Sequence, residues 1–511
     1  MKKFFTNIKE RLTGKSGWRT LLLSAVLATA VMLNVLLYAL TSTFGLYFGG
    51  SGKGDLELVS LTGDTDSLFA EAIERKKEIT ITFCRSEEQL EQDDAGKFVI
   101  KTARLLRDKY PELLKLRFVN IITQLDHESG ERVDILKYSV DLDGKETALN
   151  SGSVIFSSGD NYKVITDTST SLGFSTFFGI GSSGGVYSYN GEEVMVSMMA
   201  WVLKDERPPV IYFTKGHGET IDVSFANLLT CLGYQVDTVD LSRSKQEDID
   251  RAAAIIISNP RSDFESSEEG SKIDSELDRL EKYVNGGGRL FVSLDPYSRE
   301  LTELEATLRG FGFDLLGGKN ENGIFARDII KDTANATSLD GMTFVTELGS
   351  GSAASTLLGV MSKYTPGSVL LSQSSVISLS GRAEPLLVSS SASSSLRGDV
   401  TTDDGGAYTA AAIATDLGEG GTVFVTSGVF LASGDLLSSQ SYANREFVIA
   451  LFDEYFDAPT APYGCNTVLT DRSSLQNLTM RAARTYTAIL MAIPVALAVV
   501  GAVIIIKRKN R

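Results

Sequence analysis

The chain has 511 residues, enough for two or three domains, and 43% of them are hydrophobic, enough for sizeable cores. Its formal net charge is −16, and a chain this acidic repels phosphate backbones, which excludes nucleic acid as a partner. Cys84, Cys231 and Cys465 are odd in number and form no C-x-x-C pair, so they read as small core residues and not as a disulfide framework or a zinc site.

Charge is spread unevenly. Residues 1–19 hold Lys2, Lys3, Lys9, Arg11, Lys15 and Arg19 against Glu10, and residues 507–511 hold Lys507, Arg508, Lys509 and Arg511, so the stretch between them is more acidic than the total. Next to the first cluster, "TLLLSAVLATAVMLNVLLYAL" (20–40) carries no charge. As a helix it is about 31 Å long, enough for the bilayer core. "TYTAILMAIPVALAVVGAVIII" (485–506) is a second such run, and Pro494 is tolerable inside a span. The first run is longer than the apolar part of a signal peptide and no clear A-x-A site follows, so it reads as an anchor. Cations on the terminal side of each run predict two passes through the cell membrane. Both basic tails, 1–19 and 507–511, are then cytoplasmic, and the intervening acidic region is extracytoplasmic.

Residues 41–54 follow the first span. Their "GGSGKGD" lacks the first glycine of a P-loop, where Tyr47 stands, and has Gly54 in place of the Ser/Thr after Lys53, so it reads as a flexible linker. The next domain, 55–204, opens with the β-branched strand "EITITFCRS". A helix from "FVIKTARLL" ends near Pro111, and "RFVNII" is a further strand. "SGSVIFSSGDNYKVI" predicts a hairpin turning at Gly159–Asp160. "FGIGSSGGVYSYNG" reads as a Gly/Ser loop. "EEVMVSMMAWVL" reads as a helix whose Val194, Met195, Met198, Met199 and Val202 are packing residues.

"KDERPP" marks a boundary, and a second domain spans 205–480. Strand 210–214 leads to a helix with Phe225, Leu228, Leu229 and Leu232 on one face and Gly233 as its cap. "YQVDTVDL" and "AAAIIISNP" are strands. In "SKIDSELDRLEKYVNGGGRLFVSLDP", Ile273, Leu277, Leu280 and Val284 recur at helical spacing, Gly286–Gly288 end the helix, and a buried strand follows. Apolar runs alternating with helices predict a parallel sheet. The Ser/Thr/Gly-rich interval 317–406, with "SSSASSSLRGD" at its extreme, reads as a solvated excursion. The pattern resumes at "GGTVFVTSG" and closes with the amphipathic helix "ANREFVIALFDEYF". The fold class is α/β, with two extracytoplasmic α/β domains flanked by one transmembrane helix at each end.

Ligands of open parallel sheets sit beyond the carboxyl ends of the strands. Four predicted strands end in polar residues: Gly216, His217, Gly218 and Glu219; Asn259; Asp295; and Thr426–Ser427. If these strands are neighbours, the groups converge as a candidate ligand site. "GHGE" admits three readings. His217 and Glu219 are an acid–base pair or metal ligands, the loop binds a ligand without chemistry, or both residues satisfy backbone groups in a tight turn. The turn is the default. No G-x-S-x-G or G-x-C-x-G elbow stands at a strand end, and the other histidine, His127, falls in a loop of the first domain. Catalytic residues, metal ligands and cofactors are therefore assigned to none.

"PPVIYFTKGHGE" resembles a segment of the GldG-like family, the auxiliary proteins of gliding-motility-type ABC transporters. "LDRLEKYVNGGGRLFVSLDP", "GSVIFSSGDNYKVI", "YSYNGEEVMVSMMAWVLKDERPPVIYF" and "GTVFVTSGVFLASGDLLSSQSYANREFVIALF" resemble further segments in the same order, over most of 55–456. The resemblance implies a second domain of flavodoxin or class I glutamine-amidotransferase type, without the nucleophile. It implies a non-enzymatic accessory subunit whose partners are membrane lipid, an ABC transporter permease and a separate ATPase. Its outer domains would hold cargo, envelope material or a partner. The rival expectations are an extracellular hydrolase or amidase using the GHGE loop, and a structural or signalling ectodomain.

Overall fold

A computed structural model of the chain describes residues 56–140, 146–166, 174–180, 186–266, 274–364, 368–428, 430–439 and 441–469. The expected spans 20–40 and 485–506, both basic tails and the linker 41–54 lie outside these residues. Among the described residues no helix is long and apolar enough to cross a membrane. The described residues all belong to one compact unit.

The first half contains α1 (Asp66–Glu74), β1 (Ile79–Phe83), α2 (Glu87–Gln92), α3 (Gly96–Lys109), β2 (Leu114–Phe118), β3 (Val154–Ser158) and β4 (Asn161–Ile165). The sheet order is β2-β1-β3-β4, parallel between β1 and β2 and antiparallel elsewhere. A capping box between Ser86 and Gln89 starts α2, and the predicted hairpin turns at Gly159. The strand after α3 begins three residues before "RFVNII", at Leu114. His127 is exposed on a loop, and all three cysteines are buried and free.

The expected Gly/Ser loop is partly sheet. β5 (Phe178–Ile180) and β6 (Val186–Tyr189) pair antiparallel. Aromatic burial outweighs the glycine content here, because the Phe178 and Tyr189 rings lie 5.1 Å apart and both pack against Phe98. Helix α4 (Gly191–Leu203) is buried on nearly all sides, which its Val/Met composition permits.

The second half begins with β7 (Val210–Thr214), α5 (Val223–Cys231), β8 (Gln235–Val239), α6 (Gln246–Ile249), β9 (Ala254–Ser258), α7 (Glu276–Asn285), β10 (Arg289–Ser293) and α8 (Thr302–Gly310). The strands β11 (Phe313–Leu315), β12 (Gly317–Lys319), β13 (Phe325–Asp332), β14 (Thr343–Val345) and β15 (Glu347–Leu348) follow, then α9 (Ser352–Met361). Next come β16 (Leu370–Ser372), β17 (Ile377–Leu379), β18 (Ala383–Val388), β19 (Ser393–Arg397), β20 (Val400–Gly406), β21 (Thr409–Leu417) and β22 (Gly421–Thr426). The chain closes with α10 (Gly434–Leu437), α11 (Asn444–Tyr455) and β23 (Val468–Leu469).

β22-β10-β9-β7-β8 run parallel as neighbours, and β21, β17 and β11 extend this sheet antiparallel. One face packs Ile211, Phe213, Ile256, Phe291 and Phe424 under α5, α9 and α11. The other packs Ile255, Ile257, Leu290, Val292 and Val425 under α6, α7 and α8. Burial on both faces accounts for the unbroken apolar run in β9, where alternation would mark a half-exposed strand.

The interval 317–406 is not a solvated excursion. It supplies the sheet β12-β13-β19-β20, the pair β14-β16, helix α9 and strands β17 and β18. Ser389, Ser390, Ser393 and Ser395 are buried. Ser390 is anchored by the carboxylate of Asp332, itself buried. That carboxylate accepts Ser390 N and Ser390 Oγ, both at 2.8 Å, and the amides of Ala334 and Asn335.

The two halves are joined by acids at the start of α4. Glu193 pairs with Arg445 of α11 at 2.8 Å, both buried, and Arg445 also donates to Thr467. Glu192 accepts the amides of Thr62, Gly63 and Asn466, so both ends of the described chain meet at one carboxylate. Replacing one partner leaves a buried charge alone. Glu193→Ala is therefore expected to destabilise the chain by about 3–5 kcal/mol in chemical denaturation, and Glu193→Leu combined with Arg445→Met to recover most of that loss.

Candidate functional site

Numbered along the chain, the parallel strands lie in the order 2-1-3-4-5, so the connections leaving β7 and β9 diverge between those two strands. A cleft of about 600 Å³ opens there, at the carboxyl edge. Its floor follows from register. Ser258 at the end of β9 is paired with Ser293 at the end of β10, and Ser293 with Thr426 at the end of β22. All three share the parity of Ile256, Phe291 and Phe424, so they stand on the α5 side of the sheet. Three hydroxyl residues thus form a row at the strand spacing of about 4.8 Å.

Each hydroxyl is placed differently. Ser258 Oγ donates to Thr220 O at 2.6 Å, and Ser293 Oγ lies 3.1 Å from Asn259 Oδ1. Thr426 is fully buried, and its Oγ1 has no hydrogen-bond partner among the described residues. Asn259 sits beside the row at φ +52°, a left-handed conformation that asparagine tolerates better than most residues. Phe178, Phe225, Phe291 and Leu431 make the walls apolar. Asp222 caps α5 by accepting Ser224 N and Phe225 N, and its second oxygen accepts Gly434 N at the start of α10. Among the described residues no lysine, arginine, histidine or cysteine lines the cleft.

Of the polar strand ends expected to converge, Asn259 and Thr426 lie on this cleft. Asp295 instead closes a turn by accepting Tyr297 N at 2.9 Å. Ser427 is fully buried and donates to the carbonyls of Ser375 and Ala410. The GHGE loop turns to the opposite face of the sheet. Gly216 and Gly218 have φ of +123° and +76°, which side-chain-bearing residues rarely adopt, and this reversal carries His217 toward α7. There His217 Nε2 lies 3.0 Å from Glu276, and Nδ1 forms a 3.4 Å ion pair with Glu219, too poorly placed for a hydrogen bond. The imidazole stacks on Phe264 with centroids 3.9 Å apart. Its backbone is fixed as well, since His217 N donates to Glu219 while Arg261 N and Ser262 N donate to His217 O. The loop is a brace between β7 and α7. Among the described residues no cluster of three or more His, Cys, Asp or Glu is disposed to hold a metal ion.

The sequence carried the two missed floor residues, Ser258 and Ser293, in plain view, as the hydroxyls closing "IIIS" and "LFVS". Attention to charged and glycine-flanked groups passed them over.

No family model matches the chain, and no curated protein does. Among solved structures, the mmIFT52 N-terminal domain aligns at a TM-score of 0.36 and 13% identity, over 48% of this chain and 97% of that one. The Cytoplasmic Protein STM3548 from Salmonella typhimurium aligns at 0.30 and 10%, over 48% and 98%. Exo-beta-1,4-mannosidase Op5Man5 from Opitutaceae bacterium strain TAV5 aligns at 0.27 and 13%, over 70% and 49%. Superpositions this loose assign no family and no activity.

The facing carboxylates of Glu219, first, and of Glu276 favour the protonated ring and raise the His217 pKa from 6.5 to about 9 against the opposing effect of burial. In Glu219 and Glu276 burial acts upward, but contacts with His217 and backbone amides hold both below the usual carboxylate value. A raised histidine stabilises fully below its unfolded pKa and loses that contribution as pH climbs through the folded one. Depressed carboxylates lose theirs as pH falls below about 4.5. The brace is therefore strongest between roughly pH 4.5 and 6.5 and weakens by on the order of 2–3 kcal/mol toward pH 9 and above. Denaturation midpoints measured across pH 6 to 10 are expected to fall in the native chain and to show a flatter slope in His217→Gln. Equal slopes would remove the brace as the cause.

Proposed function

We propose that this chain is a membrane-anchored, non-catalytic binding subunit of an ABC transport complex. Its second half is of flavodoxin or amidotransferase type and receives a ligand at the carboxyl edge of the sheet. The observation that carries this reading is the cleft at the divergence of β7 and β9, floored by Ser258, Ser293 and Thr426. That position is where open parallel sheets take ligands. The GHGE loop supports binding over hydrolysis. Its histidine faces two carboxylates and an aromatic ring on the far side of the sheet, away from the cleft. The apolar runs 20–40 and 485–506 and their flanking cations support two anchors with cytoplasmic ends. The ordered GldG-like segments support the assignment to a transporter, with the permease and ATPase as separate chains.

The test is recovery of the tagged full chain from membranes in mild detergent, followed by identification of what accompanies it. A permease and an ABC ATPase are expected at fixed stoichiometry. Recovery of the chain alone, or labelling of either terminus from outside intact cells, would sink the assignment.

A further inference from the structure

Resting on the binding reading above, we infer that the cleft takes an uncharged polyhydroxylated ligand, a sugar or short neutral glycan, held by the Ser258–Ser293–Thr426 row. The floor offers hydroxyls and the amide of Asn259, and with no lysine or arginine in the lining among the described residues, phosphate and carboxylate ligands find no counter-charge. Neither acid of the lining, Asp222 or Asp435, is without a partner. Both oxygens of Asp222 already accept backbone amides, from Ser224 and Phe225 on one side and Gly434 on the other. What remains is mainly acceptor capacity. Ser258 spends its proton on Thr220 O, and Ser293 is within reach of Asn259 Oδ1 and Gly428 O. Such lone pairs call for a ligand that donates repeatedly without carrying charge, as hydroxyl groups do. The rings of Phe178, Phe225 and Phe291 give the C–H face of a sugar an apolar wall.

Thr426 provides the second, independent observation. It is fully buried, it lines the floor, and its hydroxyl lacks a partner among the described residues. A buried polar group left unpaired is costly, and a ligand hydroxyl would satisfy it. Removing it therefore has opposite effects on folding and on binding. Thr426→Val deletes a group that bonds to nothing described, so the thermal midpoint is expected to hold or rise, while ligand affinity falls.

The experiment is calorimetric titration of the detergent-solubilised full chain with maltotriose, chitotriose and mannotriose, alongside choline chloride and inorganic phosphate. At least one trisaccharide is expected to bind, with affinity unchanged when NaCl rises from roughly 0.1 to 1 M, since no ion pair is screened. Thr426→Val is expected to weaken that binding about tenfold without lowering the midpoint, through loss of one hydrogen bond. Asn227→Ala, on the cleft-facing side of α5, is expected to weaken it too. Asp295→Asn, outside the cleft, leaves it unchanged. Binding of choline or phosphate in place of the sugars overturns the ligand class and leaves a binding cleft standing. Equal sugar affinity in native, Thr426→Val and Asn227→Ala chains overturns the site. No heat from any trisaccharide overturns the inference, while co-purification with a permease still decides the transporter assignment separately.

Discussion

The register of the parallel strands β22, β10, β9 and β7 is the constraint on which the rest depends. β22, β10 and β9 are buried on both faces and β7 mainly on one, so a slip of one residue would turn each strand's apolar set onto the wrong helix layer. That penalty locks Ser258, Ser293 and Thr426 into one row. The same lock fixes where β7 and β9 release their connections, and hence where a cleft opens. The candidate site is in this sense a by-product of core packing, needing only that each strand end in a short polar residue where the apolar run stops.

The GHGE loop shows how little residue rarity says about chemistry. One of two histidines in 511 residues sits between glycines at a strand end, a setting that invites a catalytic reading. Yet Gly216 and Gly218 use their positive φ to send the ring away from the cleft. Two acids and Phe264 then hold it as a charged brace. Glu276 doubles as a residue of the first turn of α7, where a carboxylate is favoured by the helix dipole, and accepts Glu265 N as well. The brace thus ties the first βα connection to α7 through one side chain.

Legibility in the sequence followed the physics of burial. Strands such as "AAAIIIS" and the helix ended by Gly286–Gly288 were readable because periodicity and capping act over a few residues. The serine-rich interval misled because Ser390 is anchored by Asp332, some 58 positions away, a contact no local pattern encodes. β5 and β6 misled for a similar reason, since Phe98 is the surface that makes Phe178 and Tyr189 strand residues. At the site, the polar strand ends were legible but their facing was not. Asn259 reaches the cleft, whereas Asp295 and Ser427 turn into local hydrogen bonds, a choice made by one or two backbone torsions after each strand.

The cleft is also where the two halves of the molecule meet. Ser175 and Phe178 of the first half line it beside α5 and α10 of the second. Behind that wall, Arg445 and Glu193 join α11 to α4, and the neighbouring Glu192 gathers the amides of Thr62, Gly63 and Asn466 from both ends of the described chain. Occupancy of the cleft therefore presses on β5, on the Asp222-capped end of α5 and on α10 together. From β5, sheet pairing continues through β6 to β23, the last described strand. The sheet edge at the cleft and the first and last described segments are linked through contiguous backbone pairing and one pair of adjacent acids, a physical route by which a ligand in the cleft biases how those segments pack.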